Sequence, residues 1–457
     1  MPYRYSQRKE DMFRLRTMGG AKIPHYKNTA GMPAVVMPNA KEVLLPLSQH
    51  IGAPATPLVA IGDEVKVGQK IAEANGFVSS PIYASVSGKI AKIEDYLRPD
   101  GRTVAAIRIV SDGLMTKYDN IAPPSVSDID GLLAAARESG IVGLGGAGFP
   151  LAVKLEALKK GGIDTIIING AECEPYITCD TYAMLFESEW IKKGIELLEK
   201  CASGVSQFII GIEKNKPDCI KEMKRIFSAD QKVKVASLPD TYPQGGEKVL
   251  IYNTTGRIIN EGKLPADVGT IVINVTSLTI LAKYAECGEP LVSRCVTLDG
   301  SAVAEPKNII APIGCSIREL VEFGGGLKET AGKVLYGGPM MGTTAASLDE
   351  PIVKTTGAIT VLDRKDSILH EPTACIHCGR CVRACPLDLS PVAYSKALEC
   401  ESREDKIAML DKNKIMLCME CGCCSFVCPA SRPLVQNNRI AKAEYREHLA
   451  AIAKLKK

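Results

Sequence analysis

From residue 43 to about residue 112, short apolar runs alternate with polar turns: V-L-L-P-L, then G-D-E-V-K-V-G-Q-K-I from Gly62, S-S-P-I-Y-A-S-V-S-G-K-I-A-K-I from Ser79, and A-A-I-R-I-V. Brief β-type runs bounded by Gly, Pro, Asp and Ser predict a small all-β module over 43–115. From about Ser127 the texture changes. D-G-L-L-A-A-A-R-E-S-G has helical spacing and ends at Gly140, and E-S-E-W-I-K-K-G-I-E-L-L-E-K reads as another helix. Between helices lie the continuous apolar runs D-T-I-I-I-N-G from Asp164, Q-F-I-I-G-I from Gln207 and G-T-I-V-I-N-V from Gly269, which read as buried strands. This alternation over 125–285 predicts a largely parallel sheet with ligands at the carboxyl ends of its strands. L-V-S-R-C-V-T-L-D-G, A-P-I-G-C-S-I-R-E-L-V-E-F-G-G-G and K-V-L-Y-G-G-P-M-M-G then read strand, turn, helix, glycines and strand, an α+β unit of β-grasp type over 290–345. Residues 1–42 form an N-terminal extension, 365–435 a cysteine-rich unit with a helix around 392–398, and 436–457 a C-terminal helix.

The chain has 457 residues, enough for three or more domains. Hydrophobic content of 46% and charged content of 24% describe an ordinary globular protein. A net charge of +4 and 5% aromatic residues give no nucleic-acid signal. The N-terminal stretch is too charged for the apolar core of a signal peptide, and no run approaches the roughly 20 apolar residues that span a bilayer. The C-terminal segment is basic and amphipathic, but Glu444 and Glu447 favour a solvated helix over a membrane-surface one. Membrane contact is expected through a partner.

Cysteine spacing carries the strongest chemistry. C-I-H-C-G-R-C-V-R-A-C-P occupies 375–386, and C-M-E-C-G-C-C-S-F-V-C-P occupies 418–429. Each is the C-x₂-C-x₂-C-x₃-C-P run that holds a [4Fe–4S] cubane, in which three thiolates on a tight loop cap three irons and the remote fourth reaches another. Structural zinc needs neither the third cysteine nor the trailing proline. In two-cluster ferredoxins the fourth cysteine serves the other cluster. Cys375, Cys378 and Cys381 are therefore paired with Cys428, and Cys418, Cys421 and Cys424 with Cys385. Cys423 breaks the repeat and is taken as a non-ligand. Of seventeen cysteines, the nine outside these eight are scattered, which suits a reducing compartment.

A second signal is the loop I-V-G-L-G-G-A-G-F-P over 141–150, where Gly143, Gly145, Gly146 and Gly148 let backbone N–H groups approach a phosphate or flat ring ahead of a helix starting after Pro150. It is neither a P-loop nor a clean dinucleotide fingerprint. Asn169-Gly170-Ala171-Glu172-Cys173-Glu174-Pro175 follows the Ile-rich strand. Its amide and carboxylates suit a flavin ring, ribose hydroxyls or a nicotinamide amide, with a solvated loop or a helix N-cap as the plainer role for Glu172 and Glu174. Tyr242-Pro243-Gln244-Gly245-Gly246-Glu247-Lys248 opens another helix, and Asn274 ends a strand.

In this order the pieces resemble the flavin- and nicotinamide-binding subunit of respiratory complex I, whose loop reads G-R-G-G-A-G-F-P and is followed by N-A-D-E-G-E-P; here Leu144 and Ala171 replace the arginine and the aspartate. Over nearly the whole chain they resemble the RnfC family of Rnf-type complexes. The marks are Gly19-Gly20, S-Q-H-I-G-A-P-A (48–55), G-L-G-G-A-G-F-P, N-G-A-E-C-E-P-Y, Y-P-Q-G-G-E-K, L-P-A-D-V-G (264–269) and the two cysteine runs. Departures are G-G-A-K-I-P for G-G-I-H-P, and Leu151-Ala152 for Thr-His. The all-β module resembles the barrel-sandwich of biotinyl and lipoyl carriers, without a modification lysine at a recognisable hairpin tip.

The resemblance implies a multidomain α/β and α+β protein: barrel-sandwich, FMN/NADH-binding α/β domain, β-grasp and two-[4Fe–4S] ferredoxin-like domain. It implies FMN on the glycine loop with Asn169, Glu172 and Asn274, and Lys154 offsetting phosphate charge. Glu174, Tyr242 and Glu247 are candidates for the nicotinamide side, and Gly246 is a further cofactor-binding candidate. NAD(H) exchanges hydride with FMN, two clusters relay single electrons, and no acid–base residue is catalytic. The implied assembly is a membrane-bound, ion-translocating ferredoxin:NAD oxidoreductase with this subunit peripheral on the cytoplasmic face, exchanging electrons with iron–sulfur and flavin partners. A soluble microcompartment cobalamin reductase and a cluster scaffold without a nicotinamide site are the competing readings.

Overall fold

The computed structural model describes residues 19–455. The charged N-terminal stretch of the predicted extension, and Lys456 and Lys457 of the predicted C-terminal helix, lie outside the described residues. Strand β1 (Ala34–Val36) precedes the all-β module, which contains β2 (Glu42–Pro46), β3 (Thr56–Pro57), β4 (Glu64–Val65), β5 (Lys70–Glu73), β6 (Ile82–Tyr83), β7 (Gly88–Leu97) and β8 (Thr103–Ser111). One sheet has the order β2-β8-β7-β4 and the other β3-β5-β6, with antiparallel pairing throughout. Val43, Leu45, Ile71, Ile90 and Ile107 alternate inward and are buried, the signature of a two-layer β core.

The α/β unit runs α1 (Ile129–Glu138), α2 (Leu151–Lys160), β9 (Thr165–Asn169), α3 (Cys179–Phe186), α4 (Ser188–Cys201), β10 (Gln207–Glu213), α5 (Pro217–Ile226), β11 (Val233–Leu238), α6 (Glu247–Thr255), β12 (Thr270–Asn274) and α7 (Val275–Cys287). The sheet order is β11-β10-β9-β12 and every pairing is parallel. The apolar runs are continuous because both faces are covered. Ile166, Ile168, Ile271 and Ile273 join the main core, whereas Ile167, Ile209 and Val272 face a separate cluster with Leu250 and Ile251 of α6. Edge strand β11 was not legible: V-K-V-A-S-L exposes Lys234 and lacks the uniform apolar run.

The third unit contains β13 (Ser293–Asp299), β14 (Lys307–Pro312), α8 (Ile317–Phe323), β15 (Ala331–Tyr336), β16 (Thr343–Thr344) and β17 (Ala358–Asp363). Its sheet has the order β1-β14-β13-β17-β15-β16. The sheet continues past the expected 290–345 unit. β17 inserts parallel to β13 and antiparallel to β15, so the sheet is complete only at Asp363, and β1 from the extension adds an edge strand on β14. A buried polar cluster fixes this arrangement: Thr178 N–H donates to Thr297 Oγ1 (3.0 Å), Thr178 Oγ1 donates to Asn308 Oδ1 (2.9 Å), and Thr29 Oγ1 lies 2.5 Å from Thr178 Oγ1. One continuous apolar core extends through all three units.

The cysteine-rich unit is helical, with helices Arg380–Arg383, Pro391–Leu398, Arg403–Lys412, Cys423–Phe426 and Leu434–Leu455. It has its own core around Leu389, Tyr394, Leu410 and Ile415.

One buried ion pair supports the loop after β9. Lys216 Nζ donates to Glu213 Oε2 (2.7 Å) and to Ala171 O (2.7 Å), and the two side chains are 6% and 0% exposed. Removing one partner strands the other in a water-free site. Glu213→Gln is expected to lower stability by roughly 3–5 kcal/mol, read as a shift of the urea midpoint. An unchanged midpoint would show that water reaches the pair.

Candidate functional site

The glycine loop is a tongue pinned at its base. Gly143 N–H donates to Phe149 O (2.8 Å) and Leu151 N–H to Ile141 O (3.2 Å). Leu144 is buried, with its N–H on Ser277 Oγ (3.1 Å). Gly145, Gly146 and Ala147 are exposed, and among the described residues their N–H groups have no protein acceptor. Glycine is required at 145 because a Cβ there would lie 2.5 Å from Asn274 Nδ2. α2 begins directly after the tongue with no side-chain cap. Free N–H groups and the positive end of a helix dipole together form a donor surface for an anion or a polar ring edge.

The register places Asn169 beside Asn274 at the carboxyl ends of neighbouring strands β9 and β12. Asn169 Nδ2 donates to Gly245 O (2.9 Å). Asn274 caps α7 through Ser277 N–H (3.1 Å), and its Nδ2 donates to Asp180 Oδ2 (2.9 Å). Burial, and then the neighbouring Glu172 charge, push the Asp180 carboxyl upward from its ordinary pKa. Lys154 Nζ bridges Val272 O (2.8 Å) and Glu247 Oε1 (2.9 Å), tying α2 to the first residue of α6. The Glu247 side chain remains 41% exposed.

Other candidates are committed elsewhere. Glu172 takes Asp180 N–H (2.6 Å), Thr181 N–H (3.2 Å) and Thr181 Oγ1 (2.6 Å), so its carboxylate is spent capping α3, the plainer of the two roles. Glu174 accepts the N–H groups of Met340 (3.1 Å) and Met341 (2.8 Å), and burial raises its pKa. Tyr242 is 1% exposed, its hydroxyl donating to Cys421 O (2.7 Å). A Cβ on Gly246 would collide with Met419 Cε. Glu174, Tyr242 and Gly246 therefore build the joint with the β-grasp and the second cysteine loop, and of the nicotinamide-side group only Glu247 keeps an exposed carboxylate.

The cysteines converge as two sets. Cys375, Cys378, Cys381 and Cys428 line one cavity; Cys385, Cys418, Cys421 and Cys424 line the other. Each set is three thiols from one run and the fourth from the other. The backbone repeats as well: φ is positive at His377 and Glu420, at Gly379 and Gly422, and at Asp388 and Ser431. Left-handed residues at matching offsets turn successive N–H groups into a concave nest, a geometry found around iron–sulfur sites. Among the described residues no three donors are close enough to share a single ion. Four thiols spread around a cavity fit a cubane, in which each serves a different iron. In the second cavity Asn438 Nδ2 reaches Cys418 Sγ (3.6 Å) and Cys424 Sγ (3.9 Å), and such donors raise a cluster's potential. Cys423 also faces this cavity but is 1% exposed, with its thiol on Tyr242 O (3.7 Å).

The seam between these parts has no local sequence signature. Lys27 Nζ donates to the carbonyls of Glu172 (2.8 Å), Glu174 (2.7 Å) and Ile177 (2.5 Å), holding the loop after β9 from outside. A Cβ on Gly19 would strike the Cys385 carbonyl, and Gly20 N–H donates to Ala384 O (2.9 Å). The Gly19-Gly20 pair is thus a close approach between the extension and the cysteine-rich unit.

Residues 15–114 match the RnfC barrel sandwich hybrid domain, 136–283 the Nuo51 FMN-binding domain, 295–344 the SLBB domain and 358–431 a 4Fe-4S dicluster domain. The chain is 43% identical to the C component of the proton-translocating ferredoxin:NAD(+) oxidoreductase complex of Clostridium ljungdahlii, covering 83% of this chain and 84% of the relative. It is 40% identical to the C component of the Na(+)-translocating ferredoxin:NAD(+) oxidoreductase complex of Acetobacterium woodii (82% and 85% covered). Identity is 37% to the C component of the ion-translocating oxidoreductase complex of Rhodobacter capsulatus (80% and 72%). A chain of an NAD+-reducing [NiFe]-hydrogenase shares the fold at a TM-score of 0.50, with 22% identity and coverage of 72% of this chain and 64% of that one.

Anaerobically prepared protein is expected to contain about eight iron and eight sulfide. Cys385→Ser should damage the cluster of the second run, although Cys385 lies in the first, and Cys423→Ser should leave both intact. Electron paramagnetic resonance of the two variants checks this; loss of a cluster in Cys423→Ser would overturn the ligand sets.

Proposed function

The chain belongs to the RnfC family, the C components of ion-translocating ferredoxin:NAD(+) oxidoreductase complexes, and we propose that it is the peripheral subunit at which such a complex exchanges electrons with nicotinamide. The observation that carries this reading is the direct joint between the flavin-type domain and a four-thiol cavity, made by Tyr242 on Cys421 and by Met419 against Gly246. Gly143, Gly145, Gly146, Gly148, Asn169 and Asn274 would hold FMN, Lys154 would offset its phosphate, and the two cysteine sets would hold [4Fe–4S] clusters. Bound FMN supplies exchange of electron pairs with nicotinamide and of single electrons with clusters. Glu247, fixed by Lys154 yet still exposed, is the residue on this chain suited to hydrogen-bond NAD(H).

The Cys385, Cys418, Cys421 and Cys424 set is packed against the flavin-type domain, whereas Cys378 of the other set is exposed. The first set is thus the flavin-side relay and the second the partner-side relay. Exposed Ile376 lines the outer cavity and offers apolar contact to a redox partner in the membrane assembly. No helix among the described residues is long and apolar enough to cross a membrane, so attachment through partner subunits, on the cytoplasmic face, fits the chain. None of the described cysteines is in a disulfide, which fits a reducing compartment.

With FMN reconstituted under argon, NADH should bleach the flavin absorbance; no bleaching would end the nicotinamide reading. Cys378→Ser should leave NADH-dependent reduction of the inner cluster intact. Cys424→Ser should prevent electrons from reaching the outer one, and an outer cluster still reduced at the normal rate would reverse the order. Glu247→Gln removes a charge-assisted hydrogen bond of about 1.5–3 kcal/mol. Its KM for NADH should rise by roughly ten- to a hundredfold with FMN content unchanged, and loss of FMN instead would move Glu247 to the flavin.

A further inference from the structure

Two cations are buried behind the glycine tongue without a carboxylate to balance them. Lys354 is 1% exposed and Arg294 3% exposed. Lys354 lies on the strap that leads from β16 into β17. Its Nζ donates to Pro81 O (2.6 Å), Gly140 O (2.7 Å) and Ser80 Oγ (3.1 Å), tying the barrel-sandwich to the residue at which the tongue begins. Arg294, in β13, donates to the carbonyl of Lys354 and to the carbonyl of Leu144 within the tongue (3.4 Å). Thr355 follows on the strap, and a Cβ on Gly148 would lie 2.8 Å from its methyl carbon. The cations and their strap are therefore in contact with both ends of the tongue.

All the acceptors these side chains use are uncharged oxygens, and among the described residues neither forms an ion pair. The carboxylate that feels Arg294 electrostatically is Asp180, yet its two oxygens are taken by Thr276 and Asn274. Burial pulls the Lys354 ammonium down to about 7 with no acid opposing it, so near neutral pH it is only partly charged until an anion at the loop favours the charged form. His50, on the barrel-sandwich loop beside Gly148, is pushed down to about 4 by burial and then by Lys354, so it supplies no further charge. Charges buried without a partner are costly, and an anion on the open side of the same loop relieves that cost. Leu144 brings no charge of its own to the loop, and positive charge reaches it from Arg294 of the neighbouring β-grasp.

We infer that Arg294 and Lys354 are the charge-selecting residues of the flavin site, which from beneath the tongue make it take a phosphorylated flavin in preference to the same ring system without phosphate. This rests on the reading of the tongue as the FMN site. Neither residue needs to touch the ligand; both act through the field at the N–H groups of Gly145, Gly146 and Ala147.

The test titrates full-length, cluster-loaded, flavin-depleted protein with FMN and, separately, with riboflavin, following quenching of flavin fluorescence. The unmodified chain should favour FMN strongly. Lys354→Met and Arg294→Met should each weaken FMN by roughly tenfold while leaving riboflavin affinity unchanged, and Arg294→Lys should restore the preference. Lys354→Met keeps the side-chain length and removes an unbalanced charge, so it remains informative if Arg294→Met fails to fold. Equal losses for both flavins, or no loss for either, would overturn the inference while leaving the FMN site in place. A chain that binds neither flavin would overturn the site and the inference together.

Discussion

Tyr242 ties the two electron-carrying halves of this molecule to each other. Its hydroxyl donates to the carbonyl of Cys421, its own carbonyl takes the Cys423 thiol, and its backbone pairs with Ala21 from the extension. Electron transfer needs its carriers fixed at short range, and a fully buried aromatic with every polar atom engaged is a stiff spacer. The surrounding features accommodate that contact. Gly246 is bare because Met419 fills the space its side chain would need, Gly19 because the Cys385 carbonyl does, and Cys173, Cys421, Ala384 and Ile23 close an apolar ring around the phenol.

The parallel sheet, the tongue and both cysteine sets were legible because each depends on local spacing. Continuous isoleucine runs mark strands covered on both faces, and the duplicated cysteine spacing dictates which thiols meet. What was not legible depends on partners distant in sequence. β17 completes the β-grasp only after a strap has passed behind the tongue, and nothing in A-I-T-V-L-D announces a place between β13 and β15. Glu172 and Glu174 look like ligand contacts in a strand-end loop, but one caps α3 and the other holds the amides of Met340 and Met341. A carboxylate's role follows from the N–H groups that happen to face it, and those belong to other segments.

The N-terminal segment shows the same dependence. Expected as an extension, it is a seam: Lys27 grips three carbonyls of the loop after β9, Asn28 donates to Asp299 (2.9 Å), and β1 finishes the six-stranded sheet. A lysine ammonium with three carbonyl acceptors replaces a regular ladder where the loop has none. Three units that look separable in sequence are in this way fastened across their surfaces by one strand of chain.

The crossed cysteine sets have a consequence for how the protein comes into being. A chain emerging from the ribosome presents Cys375, Cys378, Cys381 and Cys385 together, yet those four line two different cavities. Neither cavity has its full donor set until the second run has been made, and closing either one draws the helices between the runs into place. Were these cavities to hold cubanes, neither could be completed before the C-terminal part of the chain exists. A chain interrupted before the second run would lack three of the four thiols of one cavity and the fourth thiol of the other.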